Sequence, residues 1–186
     1  MNRARQIGSR ALLVAWAIAG WRAASPAGDD AAAAAQLKDA CALLAPADIQ
    51  ALDPQAKIPQ GEPTSGAPLA TGCEYRWGPS TKEWGQTFLT LALIDASRVW
   101  PGGLTADDIR QRVEVEVGMG GPGSARISGI GDGALFTTDA NHHDAAAKGY
   151  FVKAKGVVLT VSYHGGDPGA QKDKLVALLK TAAAAL

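Results

Sequence analysis

Tyr150-Phe151-Val152-Lys153-Ala154-Lys155-Gly156-Val157-Val158-Leu159-Thr160-Val161-Ser162-Tyr163 is the stretch that decides the fold. Two runs rich in β-branched and aromatic residues flank Lys155-Gly156, a dipeptide suited to a two-residue hairpin turn. Such a turn pairs Ala154 with Val157, Val152 with Leu159 and Tyr150 with Val161. All six then share one face, while Lys153, Thr160, Ser162 and His164 share the other. Turn chemistry and alternation agree, and that agreement is what specifies a register. A slightly longer loop is the competing solution, because Lys155 at positive φ carries a steric cost.

Downstream, Gly165-Gly166-Asp167-Pro168 reads as a turn feeding a helix, with Asp167 as cap and Pro168 at the first helical position. Leu175, Leu178, Leu179, Ala182, Ala183 and Leu186 form one apolar stripe, so this closing helix lies on the sheet. Upstream, Ala125–Ser128 and Ala134–Thr138 read as strands around the tight Gly129-Ile130-Gly131-Asp132-Gly133 corner. Thr105 and Asp108 form a capping box for a helix from Ala106 to about Glu116, with Ile109, Val113 and Val117 at helical spacing. Val113 to Val117 also alternates, so the last turn competes with a strand. Gln86–Ile94 is a strand with Leu89, Leu91 and Leu93 on one face and Phe88, Thr90 and Ala92 on the other. Gly72–Trp77 is another, ended by Gly78-Pro79. Prolines 54, 59, 63 and 68 mark a surface crossing with one short edge strand around Lys57. Before it, a short helix starts at Pro46. An alanine-rich helix, opened by Asp29 and Asp30, runs to about Leu44. Helices at the start, middle and end around hairpin-linked strands mean an α+β fold with a mainly antiparallel sheet.

Cys41 and Cys73 are the two cysteines. Leu37, Cys41 and Leu44 share a helical face, and Cys73 alternates with Tyr75 and Trp77, so both sulfurs point inward. An even number in an oxidising compartment reads as one disulfide, stabilising the fold by roughly 3–4 kcal/mol on loop-entropy grounds. Two buried free thiols are the alternative. A redox role has little support, since there is no C-x-x-C and no basic neighbour to lower a thiol pKa.

The opening of the chain reads as an address. Arg3, Arg5 and Arg10 precede the apolar run Ala11–Trp21, and small residues follow at Ala23, Ala24, Ser25 and Ala27. That is the layout of a secretory signal, with a cut expected after Ala27. Eleven apolar residues rise about 16 Å as a helix, short of the ~30 Å hydrocarbon core, so no transmembrane span is expected in the mature protein. Residues 28–186 are then a single domain. The whole chain of 186 residues has 18 Lys plus Arg against 18 Asp plus Glu. Losing four arginines and no acids leaves 14 against 18, a mature net charge of −4. An acidic mature protein argues against a nucleic-acid partner, and the export signal places it in the periplasm or outside the cell.

Asp39-Ala40-Cys41-Ala42-Leu43-Leu44, Pro46-Ala47-Asp48-Ile49, Gly72-Cys73-Glu74-Tyr75-Arg76-Trp77 and Gly129-Ile130-Gly131-Asp132-Gly133-Ala134 together resemble a family of exported bacterial proteins of unknown function. Many of its members look like actinobacterial surface lipoproteins. The resemblance spans nearly the whole mature chain and rests on structural motifs. It implies an α+β fold broadly similar to PsbP-like domains and a binding or envelope role. This sequence lacks the lipid-attachment cysteine, and the resemblance carries no functional residue over.

Candidate chemistry is sparse. Asp139, Asn141, His142, His143 and Asp144 cluster in a polar loop, where His142, His143 and Asp144 are a candidate zinc or copper set that His164 could join. A solvated loop is the simpler account of the same residues. Gly118–Gly123 follows a helix and lacks the Gly-Lys-Ser/Thr ending of a phosphate cradle. Asp132, between glycines, fits turn chemistry. No Gly-x-Ser-x-Gly elbow supplies a hydrolase nucleophile, and Glu114 and Glu116 make a poor acid/base pair. Trp84 and Trp100 flank the long second strand and are the candidate binding surface, or else caps on the ends of the core. The expectation is an exported, non-catalytic binding protein without a cofactor, engaging a protein or envelope component. The alternative is a periplasmic metal- or small-ligand-binding protein, and a hydrolase with unrecognised residues is a distant third.

Overall fold

In the computed structural model, which describes residues 37–64, 69–83 and 85–186, the strands join into one antiparallel sheet. They are β1 (Glu62–Thr64), β2 (Ala70–Thr81), β3 (Gly85–Asp95), β4 (Ala125–Ile127), β5 (Gly133–Asp139), β6 (Asp144–Phe151) and β7 (Val157–His164). Their order across the sheet is β1-β2-β3-β7-β6-β5-β4. The last strand in sequence thus sits in the middle, between the two hairpin blocks. The architecture is α+β, as the sequence predicts. The expected export signal, Met1–Ala27, lies outside the described residues, as does the opening of the alanine-rich helix.

Alternation gives the sheet two faces. The first carries Tyr75 and Trp77 of β2, Leu89, Leu91 and Leu93 of β3, and Leu159 and Val161 of β7, all buried. A 3₁₀ turn (Ala40–Ala42), α1 (Pro46–Ile49) and α5 (Lys172–Ala184) pack on it. Leu175, Leu178, Leu179 and Ala182 are the buried stripe of α5, as the spacing predicts. Cys41 and Cys73 form the disulfide, with Cα atoms 5.0 Å apart, tying the 3₁₀ turn to β2. On the second face the single turn α2 (Ala96–Val99) contributes Ala96, and α3 (Ala106–Met119) sets Ile109 and Val113, into a smaller core with Leu135, Tyr150 and Val158. That helix covers β4 and β5.

The central hairpin forms with a different register. Val157 pairs with Phe151, Leu159 with Gly149 and Val161 with Ala147, three residues away from the expected Ala154, Val152 and Tyr150. An odd offset turns a strand over, so Tyr150 faces the second core, opposite Val158. The cause is a single helical turn, α4 (Val152–Lys155), closed by Gly156 at φ 68°, whose N–H donates to Val152 O at 3.0 Å. Lys155 thereby escapes positive φ, and Lys153 N–H finds Asp132 Oδ2 at 2.9 Å. In compensation β6 begins at Asp144 and takes in Ala145–Ala147, a run of poor strand formers. Their small size suits the place: Ala145, Ala147 and Gly149 are buried on the face that α5 covers.

Other boundaries move for local reasons. The expected helix up to Leu44 is, over its described part, only the turn Ala40–Ala42, because Asp39 is extended and its carboxylate accepts from Cys41 N–H. The edge strand is Glu62–Thr64, five residues beyond Lys57. Gly78-Pro79 does not end β2; Gly78 at φ 72° opens an irregularity between Trp77 and Thr81. The capping box holds, with Asp108 N–H donating to Thr105 Oγ1 at 3.1 Å and Thr105 N–H to Asp108 Oδ2 at 2.9 Å. Helical spacing beats alternation beyond it, and α3 runs on to Met119. Pro168, expected as the first helical residue, is instead the cap of a 3₁₀ turn at Gly169–Gln171, where Asp167 Oδ1 accepts from Gly169 N–H at 3.0 Å, so α5 starts only at Lys172.

Candidate functional site

Beyond the area that α3 covers, the second face lies half-exposed: Thr90 and Ala92 of β3, Thr160 and Ser162 of β7, and Ala146 of β6. Strand pairing sets one row of larger side chains across it. Arg76, Phe88, His164, Asp144 and Asp139 are successive partners on β2, β3, β7, β6 and β5. Directly opposed residues in a sheet interact, and those from Arg76 to Asp144 do, whereas Asp139 turns to His142. The Arg76 guanidinium lies 4.9 Å from the Phe88 centroid, and the His164 ring stacks on Phe88 at 4.7 Å and 17°. Asp144 Oδ1 is 2.7 Å from His164 Nδ1, and Glu74 grips Arg76 with both oxygens at 2.5 and 2.9 Å.

The end of α3 stands above this row and closes a groove of about 540 Å³, lined by Phe88, Glu116, Met119, Thr137, Asp139, Asp144, Ala146 and Ser162 among others. Its surface is mostly apolar. Glu116 accepts from Lys148 Nζ at 2.5 Å and from the Tyr150 hydroxyl at 2.8 Å. Burial, then that hydrogen bond to a carboxylate, pushes the Tyr150 phenol well above its usual range, so it stays a protonated donor. Met119, 76% exposed, stands at the lip, and Val115, 51% exposed, lies farther along the outer side of the same helix. A second trough of about 650 Å³ on the outer side of α3 shares Glu116 and Met119 with the first. The carboxylates in the groove are each bonded to a neighbour.

The predicted histidine loop sits at the end of this groove, and its side chains diverge. His142 Nδ1 is 2.6 Å from Asp139 Oδ2, His143 Nδ1 is 3.1 Å from Gly166 O, and Asp144 turns to His164. The hydrogen bond with Asp139 raises His142, and the same bond lowers Asp139. Among the described residues no three His, Cys, Asp or Glu side chains gather as a metal set. His143 is at φ 55°, as the bend between β5 and β6 demands. Trp84 lies outside the described residues. Trp100 is half-buried against the second core, with the Arg112 guanidinium 4.7 Å over its ring. Asp132 serves the corner, receiving Lys153 N–H. Glu114 pairs with Arg126 while Glu116 turns to Lys148, so the two glutamates serve separate contacts.

Sequence reasoning did not assign Phe88, Glu116 and Met119 to a site. One signal was present: Phe88 is a large aromatic on the strand face that otherwise carries Thr90 and Ala92. Glu116 and Met119 reach the same place only through the packing of α3. No family model matches the chain, and no curated protein or solved structure matches it either.

Proposed function

We propose that the chain is an exported, non-catalytic binding protein that engages a protein or cell-envelope component through the groove beside α3. The observation that carries this is the open half of the second sheet face, a concave and mostly apolar surface whose polar groups are satisfied by one another. Pockets of this size and character are default binding sites. The basic-then-apolar opening of the sequence and the Cys41–Cys73 disulfide support export to an oxidising compartment. The resemblance to exported bacterial envelope proteins points the same way.

Two measurements test it. N-terminal sequencing of the protein from exporting cells is expected to begin after Ala27; an intact start in the cytosol with both thiols alkylatable contradicts export. A photo-reactive residue placed at Ser162 is expected to crosslink an envelope component. The same probe at exposed Lys180, on the outer side of α5, is expected not to. The reverse pattern removes the groove.

A further inference from the structure

Resting on that groove as the binding surface, we infer that its occupant is a polypeptide segment carrying Lys or Arg beside apolar side chains. Charge gives the first reason. Glu116, Asp139 and Asp144 line the first trough, with no Lys or Arg among its described lining residues; the second adds Asp108 and one cation, Arg112, whose guanidinium lies over the Trp100 ring. Lys148 reaches in from the sheet and is committed to Glu116, while Asp139 and Asp144 are hydrogen-bonded to the imidazoles of His142 and His164. A neutral imidazole leaves its partner's carboxylate charge in place, so Asp139 and Asp144 attract cations at the rim.

The second reason is the apolar part. Half-buried Phe88 and exposed Met119 line a trough whose surface is mostly apolar, and exposed Val115 extends it over α3. A simple polyamine brings only slender methylene chains there, with no side chain to cover Met119. Size gives the third reason. The two troughs, about 540 and 650 Å³, adjoin at Glu116 and Met119, so a ligand longer than one pocket has a continuous course along α3. An extended chain can follow both. A second copy of this protein fits less well, because the mature form carries net −4 and would bring like charge to the rim.

The test uses fluorescein-labelled twelve-residue peptides with fixed Leu and Ala positions and Lys, Gln or Glu at all the rest, titrated into the purified protein at pH 8. The Lys peptide is expected to bind at least tenfold more tightly than the Gln peptide, with no measurable binding of the Glu peptide. Phe88→Ala and Met119→Ala are each expected to weaken the Lys peptide five- to tenfold. Asp139→Asn with Asp144→Asn is expected to weaken the Lys peptide while leaving the Gln peptide unchanged. Circular dichroism on each variant confirms that it remains folded. Equal binding of the three peptides, still sensitive to Phe88→Ala, overturns the charge class and leaves the groove standing. Lys-peptide binding that is indifferent to Phe88→Ala and Met119→Ala, or no peptide binding at all, overturns the groove with it. Displacement of the Lys peptide by equimolar spermidine shows that charge alone is read and removes the polypeptide occupant. Concentration-dependent dimerisation that blocks the Lys peptide assigns the face to a second copy instead.

Discussion

The two faces of the sheet are built from the same seven described strands and meet different fates. The first is covered by α1, α5 and the disulfide-held turn, and its Leu89, Leu91, Leu159 and Val161 are wholly buried. The second is covered only where α3 crosses it, and the rest shows Thr, Ser, Ala and the Arg76-Phe88-His164 stack. Antiparallel sheets tolerate this because one solvated face costs little when its residues are small or polar. Burial is thus concentrated on one side, and the other is left partly open.

The sharpest way to break this contrast is paired truncation. Leu91→Ala on the first face is expected to lower unfolding free energy by about 2–5 kcal/mol, whereas Ser162→Ala on the second stays within about 0.5 kcal/mol, both read from urea denaturation. Equal costs would mean that the faces are equally structural. Next, removing the disulfide as Cys41→Ala with Cys73→Ala is expected to cost roughly 3–4 kcal/mol, since the closed loop spans 32 residues. The loss should appear as early hydrogen exchange around Ala40–Ala42 and leave α3 protected.

A smaller difference separates two corner glycines. Gly131→Ala forces a Cβ to within 2.3 Å of Tyr150 O at φ 54° and is expected to cost about 2 kcal/mol or more. Gly156→Ala, at φ 68° with open space around it, is expected to cost about 1 kcal/mol, the intrinsic penalty alone. Thermal melts of the pair check that order.

The smallest effect is electrostatic. His142 is raised by its bond with Asp139, so its protonated form contributes stability below its unfolded pKa, and that contribution fades as pH rises through the raised value. Asp139 is depressed by the same bond, so its share is present above its unfolded pKa and fades as pH falls through the depressed value. Asp139→Asn is expected to move the His142 titration midpoint down, read from its ring protons by NMR. An unmoved midpoint means that the bond does not form in solution.

Much of the fold was legible because its signals are local. The Thr105–Asp108 box, the two-faced β3 and the Leu175–Ala182 stripe each declare an element within a few residues. Cys41 and Cys73 could be read inward from their immediate neighbours, although the helix expected around Cys41 is only a turn. The hairpin register failed because the competing α4 turn is held by Asp132, 21 residues before the Lys153 amide it accepts from. Strand β6 was hidden by alanines whose place is decided by α5 overhead. The groove was hardest of all, assembled from β3, α3, β5, β6 and β7, and only Phe88 on a polar face gave it away.

The central claim is that the uncovered half of the second face is occupied when the protein is at work. The direct measurement is the maleimide labelling rate of Ser162→Cys in intact exporting cells relative to the purified protein, normalised to Lys180→Cys. The account predicts a rate at position 162 several-fold slower in cells. The same normalised rate in both settings would contradict it.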